Sequence, residues 1–281
     1  MTGGDLRPHS WEGLGLRRTI HDLRRLAATR KLASLTCYDA SFAGLLDDAG
    51  IDILLVGDSL GMVIQGHAST LPVTIGDVAY HTRAVARGTR TAWIVADMPF
   101  GSYQASPEQA LPNAVELIQA GADMVKIEGG EEMAATVAFL VARGVPVCGH
   151  VGLTPQHVQT LGGYRIQGRD AAVAERVLAG ARALEAAGAD ILVVEAVPHS
   201  LAERIVAQRR SLVIGIGASA TCDGQVLVLH DMLGITPGKR PRFVKNFLAG
   251  GDSIQSAVRR YVDAVRSGGF PGPEQVYPDE G

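Results

Sequence analysis

Five short apolar runs end on an ionisable residue, and these ends are where the chain could do chemistry. Ile53-Leu-Leu-Val-Gly leads to Asp58, with Ser59 next in line. Trp93-Ile-Val-Ala leads to Asp97, and Met124-Val-Lys126-Ile leads to Glu128. Val145-Pro-Val-Cys-Gly leads to His150, and Ile191-Leu-Val-Val leads to Glu195. A single carboxylate after a strand is often only a helix cap or a turn residue. Glu128 and Glu195 fit that role poorly, because their side chains are too long for the usual capping geometry. Several carboxylates brought to one place also repel one another, and a bound cation relieves that repulsion.

Asp and Glu are hard oxygen ligands, and only one histidine belongs to the set. That chemistry favours Mg²⁺ over Zn²⁺, with Mn²⁺ or Co²⁺ as alternatives. Asp58 and Asp97 are the expected direct ligands, and Glu128 the third acidic residue, acting through a bound water. Positions left open on the ion suit a bidentate 2-oxo acid, which chelates through its carboxylate and keto oxygens. Lys126 and Glu128 are two apart in one strand, so they share a face. An inward lysine is costly unless paired, so Lys126 either neutralises Glu128 or binds a substrate carboxylate. His150 either hydrogen-bonds the same carboxylate or is a satisfied core histidine. Ser59 either contacts substrate, shapes its turn or caps the following helix. Glu195 shares a face with Val193 and Val197. Such apolar surroundings favour the protonated carboxyl and suit a general base, which makes Glu195 the candidate for proton abstraction.

These residues converge only if their strands run parallel in one sheet. The sequence repeats the unit required. Ala49-Gly-Ile-Asp, Ala120-Gly-Ala-Asp and Ala187-Gly-Ala-Asp each combine a glycine helix stop with the start of an apolar strand. Ala86-Arg-Gly and Ala142-Arg-Gly play the same part before two more strands. Leu32 to Thr36 supplies a first strand, Leu212 to Ile216 a seventh, and Arg242 to Lys245 is the expected eighth. Amphipathic Ala-rich stretches such as Pro107 to Ala120 and Ala171 to Ala187 fall between. Alternation over this length predicts an α/β chain, a (β/α)8 TIM barrel, whose chemistry lies at the C-terminal strand ends. An open doubly wound sheet is the rival, but no GxGxxG follows the first strand. Thr19 to Arg30 reads as an extra N-terminal helix, capped by Thr19, that plugs the barrel's bottom or meets another subunit. The expected organisation is a flexible segment 1–18, one barrel domain over 19–270 and a tail over 271–281, with the Gly/Pro-rich end mobile or on the surface.

The 281 residues carry 26 Lys+Arg against 29 Asp+Glu, so no basic excess points to nucleic acid or a membrane surface. Met1 to Gly15 lacks the apolar stretch of a signal peptide. Cys37, Cys148 and Cys222 are widely spaced and form no CxxC pair; Cys37 and Cys148 sit in apolar runs and read as small core residues, and a reducing cytoplasm fits.

Taken in order, the motifs are similar to those of the ketopantoate hydroxymethyltransferase (3-methyl-2-oxobutanoate hydroxymethyltransferase) family. They include Leu35-Thr-Cys-Tyr-Asp39, Val56-Gly-Asp-Ser-Leu-Gly61, Ala96-Asp-Met-Pro-Phe-Gly101 and Val125-Lys-Ile-Glu-Gly-Gly130. Gly149-His-Val-Gly-Leu-Thr-Pro-Gln156, Gly215-Ile-Gly-Ala218, Cys222-Asp-Gly-Gln225 and Pro241-Arg-Phe-Val-Lys-Asn246 continue the series, which runs to Phe270-Pro271. The resemblance implies a Mg²⁺-dependent barrel of the phosphoenolpyruvate/pyruvate superfamily type, commonly a homodecamer. It implies one-carbon transfer from 5,10-methylenetetrahydrofolate to 3-methyl-2-oxobutanoate, giving 2-dehydropantoate on the route to pantothenate. It implies Asp58, Asp97 and Glu128 at the metal, Ser59, Asp97, Lys126 and His150 at the substrate, and Glu195 as the base. Ser219 departs from the pattern, which more often has glycine there, and near the mouth it would alter loop geometry or folate affinity. Gly162 to Arg169, after strand five, is either a lid, a cosubstrate contact or a plain surface loop. Two rivals stand beside this reading. A lyase or mutase of the isocitrate lyase type would need a Lys-Lys-Cys-Gly-type loop, which is missing. A catalytically silent barrel would be favoured by loss of any one of the four acids, and all are intact.

Overall fold

The structure is a computed structural model that describes residues 17–238 and 240–279. Most of the segment expected to be flexible, 1–18, lies outside the described residues. Eight parallel strands close on themselves in chain order. They are β1 (Leu32–Thr36), β2 (Ile53–Val56), β3 (Trp93–Asp97), β4 (Met124–Glu128), β5 (Val147–Gly152), β6 (Ile191–Glu195), β7 (Leu212–Ile216) and β8 (Gly224–Leu227). Leu32 pairs with Gly224, which completes the ring. The fold is the expected (β/α)8 barrel.

Helices surround the barrel: α1 (Ile20–Ala27), α2 (Ala40–Asp48), α3 (Leu60–Val63), α4 (Ile75–Gly88) and α5 (Pro107–Gln119) come first, α1 lying across one end. They are followed by α6 (Ala134–Val141), α7 (Ala171–Ala186), α8 (His199–Gln208), α9 (Leu229–Met232) and α10 (Ile254–Arg266). Their starts are chemically marked. Thr19 and Thr74 each form a capping box with the aspartate three residues on, and Asp39, Ser106 and Asp170 cap α2, α5 and α7.

The eighth strand departs from expectation. It is Gly224–Leu227, and Arg242–Lys245 lies outside the sheet. No helix separates β7 from β8. Segment 217–223 instead doubles back along the outer face of β7, which is possible because β8 starts level with Ile214. Gly215 makes room for it: a Cβ there would stand 2.9 Å from Cys222 Sγ. Ser219 belongs to this crossover. It is fully buried, and its hydroxyl pairs with Thr221 Oγ1 at 2.9 Å. Its carbonyl accepts from Gln225 Nε2, so it is held on the outer side of the barrel rather than at the mouth.

The N-terminal ends of the strands are tied by the aspartates of the repeat. Asp52 accepts from Ala33 N–H and Asp123 from Ile94 N–H, each bonding the strand before its own. Asp223 does the same for Val213. Helix α1 crosses this end: Leu23 is buried, Arg17 reaches Asp123 before β4, and Arg24 reaches Asp190 before β6. It therefore plugs the bottom. The C-terminal tail is docked, since Tyr277 bridges to Pro198 and Pro271 and Gln275 are buried.

Inside the barrel, Ile53, Leu55, Val95, Ile191, Val193, Ile214 and Val226 surround a cavity of about 20 Å³ beneath Lys126. That is room for little more than one water. The floor under the site is packed and apolar, so polar groups above it have only one another and the mouth to turn to.

Candidate active site

Strand alternation decides which side chains enter. Trp93, Val95 and Asp97 share a face of β3, as do Met124, Lys126 and Glu128 of β4 and Val193 and Glu195 of β6. Register then brings them level: Asp97 is opposite Lys126, Glu128 opposite His150, and Glu195 opposite Gly152. Asp58, Asp97, Lys126, Glu128 and His150 are all buried. The structure thus brings together the residues singled out from the sequence.

Lys126 Nζ is in direct contact with Asp97 Oδ1 and 3.6 Å from Glu128 Oε1. It pairs with both carboxylates, as one of its two readings requires. His150 Nδ1 lies 3.3 Å from Lys126 Nζ and from Glu128 Oε1. Its Nε2 lies 3.2 Å from Glu195 Oε2, so the imidazole links the acidic trio to the candidate base. Glu195 is the least buried member of the set, its side chain 14% exposed. The apolar enclosure expected for it is therefore partial: it opens to the mouth, where a substrate can reach it.

The backbone around Glu195 is unusual. Ala196 follows it with φ 46°, a left-handed conformation rare for a residue with a side chain. This turns the chain out of β6 at once. Gly152, at φ +94°, faces the same spot, and a Cβ there would stand 2.3 Å from Glu195 O. Glu195 O in turn accepts from Leu153 N–H at 2.8 Å.

Sequence reasoning missed the hub of the site. Gln156, in a 3-10 turn after β5 (Pro155–His157), donates its backbone N–H to Glu128 Oε2 at 3.0 Å. Its side-chain amide donates to Asp58 Oδ2 and Met98 O, both at 3.0 Å. Its Oε1 accepts from Tyr103 OH at 2.8 Å and Gln104 Nε2 at 3.1 Å. Tyr103 OH also bonds the backbone of Glu128. Asp58 and Asp97 are coupled directly, Asp58 N–H donating to Asp97 Oδ2 at 2.9 Å. Ser59 makes no side-chain cap for α3; its hydroxyl is 2.9 Å from Tyr38 OH.

The electrostatics follow from burial of three acids, Asp58, Asp97 and Glu128, beside two bases. Burial first, then Asp97 and Glu128, pushes Asp58 up to about 8. Burial also raises Asp97, against the opposing pull of Lys126. For Glu128, burial is outweighed by Lys126 and then His150, which hold it down at about 2. His150 is disfavoured as a cation by burial and Lys126, but Glu128 and Glu195 outweigh them and lift it to about 9. Lys126 stays charged because the three acids overcome its burial.

The donor set fits a hard divalent ion. Acidic groups outnumber basic ones, Asp58 holds its proton unusually well, and buried Asp97 Oδ1 and Glu128 Oε1 have only the Lys126 ammonium and the His150 ring to offset their charge. Among the described residues no three His, Cys, Asp or Glu side chains converge as a ready-made cage. Mg²⁺ needs no such cage, since it takes one or two carboxylates and keeps several waters.

Carboxylates, a lysine and a histidine sunk into the C-terminal mouth of a parallel barrel define a (β/α)8-barrel enzyme. The family model for ketopantoate hydroxymethyltransferase matches residues 17–273. The chain belongs to this family and is a transferase. It is 58% identical to the 3-methyl-2-oxobutanoate hydroxymethyltransferase of Dechloromonas aromatica over 93% of this chain and 96% of that one. The enzyme of the same name from Thiobacillus denitrificans is 61% identical over 88% and 94%. Among solved structures, a phosphonopyruvate hydrolase complex with oxalate and Mg²⁺ has TM-score 0.58 at 15% identity, covering 92% of this chain and 93% of that one. A 2,3-dimethylmalate lyase of the PEP mutase/isocitrate lyase superfamily has TM-score 0.54 at 16% identity, covering 74% and 77%. At such identities the likeness is one of fold.

Proposed function

We propose that the chain transfers a hydroxymethyl group from 5,10-methylenetetrahydrofolate to 3-methyl-2-oxobutanoate, giving 2-dehydropantoate. The observation that carries this reading is the buried cluster at the mouth, Asp58, Asp97, Lys126, Glu128 and His150, with Glu195 beside it and open to solvent. Asp58 and Asp97 would hold Mg²⁺ directly, with Glu128 acting through a water. Bound there, a divalent ion supplies a Lewis acid that polarises a keto oxygen. Lys126 and His150 present positive charge to the substrate carboxylate, and Ser59 would join them from the exit of β2, where its hydroxyl meets Tyr38 OH. Together they orient the 2-oxo acid, which lowers the entropic cost of reaction. Glu195 removes the proton from the carbon next to the ketone. The resulting enolate carbon bonds to the methylene carbon of the folate as its first C–N bond breaks. Water then displaces the second nitrogen and supplies the hydroxyl oxygen, and the two freed nitrogens take up the protons released from the oxo acid and from water.

Family names support the substrate, and the partner folate belongs to the same reading, as does assembly into a homodecamer. The three buried free cysteines suit a reducing cytoplasm. Among the described residues no helix is long and apolar enough to cross a membrane. The test is an isotope transfer. Mg²⁺-loaded protein given ¹³C-methylene tetrahydrofolate and 3-methyl-2-oxobutanoate should yield 2-dehydropantoate labelled at the hydroxymethyl carbon. Unlabelled product, or cleavage of the oxo acid, would favour the lyase reading.

A further inference from the structure

The oxo acid is small, and the deep cations Lys126 and His150 face its carboxylate. The outer layer of the mouth must then serve the second reactant. Two tyrosines stand there, held to the same stretch of chain just after Glu195. The first is Tyr164, 50% exposed, whose hydroxyl donates to Met62 Sδ at 3.6 Å. It thereby reaches from the loop after β5 to α3, with Met62 itself 38% exposed. Its loop is anchored by Gln167 N–H, which donates to Ala196 O at 2.9 Å. The second is Tyr277, whose carbonyl accepts from His199 N–H at 3.0 Å. Its ring meets Phe243 edge-on at 6.5 Å and presses on Gly217, at the exit of β7. Burial, then Asp58 and Glu195, raises the proton affinity of the Tyr164 phenol, and burial, then Glu195, that of Tyr277. Arg242 Nε donates to Glu274 O at 3.0 Å in the same tail, so cationic charge lies close to Tyr277.

We propose that Tyr164 and Tyr277 seat the flat ring system of the one-carbon carrier over Glu195, with Arg242 near Tyr277 for the carrier's anionic tail. The inference rests on the folate reading above. Aromatic faces suit a planar heterocycle, and guanidinium forks suit carboxylates. A half-exposed ring next to an exposed methionine is otherwise an unusual thing to place over an acidic site. The two tyrosines come from the loop Gly162–Arg169 and from the tail, and Arg242 from the segment between α9 and α10, which gives each a role.

The test measures two Michaelis constants in each variant. In Tyr164→Ala and Tyr277→Ala, KM for 5,10-methylenetetrahydrofolate should rise at least about tenfold. KM for 3-methyl-2-oxobutanoate should move far less. Tyr164→Phe and Tyr277→Phe keep the ring face, so they should stay near wild type and also control for folding. Arg242→Gln should weaken tetrahydrofolate more than a tetrahydropterin without the tail. A carrier KM that stays unchanged, or two constants that rise in parallel, would overturn the inference while leaving the reaction intact. Wild-type protein that fails to bind tetrahydrofolate by calorimetry would overturn the folate reading and the inference with it.

Discussion

Replacing Lys126 with methionine keeps the volume of the side chain and removes its charge. Lys126 is buried, touches Asp97 and stands 3.6 Å from Glu128 Oε1. Taking away one partner of a buried ionic network typically costs about 3–5 kcal/mol, because the remaining charge is left uncompensated. For a chain of this size each kcal/mol is worth about 2–4 °C in Tm, so the metal-free variant should melt roughly 6–20 °C lower at neutral pH. The loss should depend on pH in a defined direction. Without Lys126 the carboxyls of Asp97 and Glu128 bind protons more tightly in the folded than in the unfolded state. Stability of the variant relative to wild type then falls as pH rises. The gap should be small near pH 5 and largest near pH 8. Mg²⁺ replaces the missing positive charge, so it should stabilise the variant more than the wild type. Thermal melts in EDTA and in Mg²⁺, at both pH values, measure all of this. A gap that is the same under all four conditions would refute the electrostatic account and leave only a packing defect.

Gln156→Leu removes the amide bonded to Asp58 and leaves Tyr103 OH short of a partner. It should cost about 1–3 kcal/mol of stability and weaken Mg²⁺ binding by calorimetry; unchanged Mg²⁺ affinity would limit Gln156 to a packing role. Because Asp58 holds its proton up to about 8, protons should compete with Mg²⁺ below that pH. Affinity should then climb by up to about tenfold per pH unit toward pH 8, and a flat titration would contradict the assignment. Gly152→Ala puts a Cβ 2.3 Å from Glu195 O at a positive φ. It should displace Glu195 and lower kcat by roughly a hundredfold, and a near-normal kcat in folded protein would mean that Glu195 is not where the reaction occurs.

The strands and their terminal acids were legible because each repeat carries its own punctuation: a glycine stop, an apolar run and a charged end. Parity along β4 correctly placed Lys126 and Glu128 on one face. Gln156 was not legible as a hub. It is uncharged, sits in a turn, and acts through contacts with Asp58 and Met98 that are remote in sequence. Its one signal was its place at the end of the Gly149–Gln156 motif. Strand β8 was missed because Gly224-Gln-Val-Leu is short and opens on glycine, while Arg242–Lys245 has a more strand-like Phe-Val centre. Nothing in sequence shows that segment 217–223 can return without a helix; that depends on Gly215 leaving room for Cys222. The openness of Glu195 also escaped, because it depends on Ala196 turning the chain out of the strand.

The central claim is that this mouth enolises 3-methyl-2-oxobutanoate, with Glu195 as the base. The most direct measurement is proton exchange at C3 of that acid in D₂O by NMR, with tetrahydrofolate bound, in wild type and Glu195→Gln, with and without Mg²⁺. The account predicts exchange in wild type that requires Mg²⁺, and its loss in Glu195→Gln protein that still binds the acid. Exchange at the wild-type rate in Glu195→Gln would contradict the base, and no exchange in Mg²⁺-loaded wild type would contradict the enolate itself.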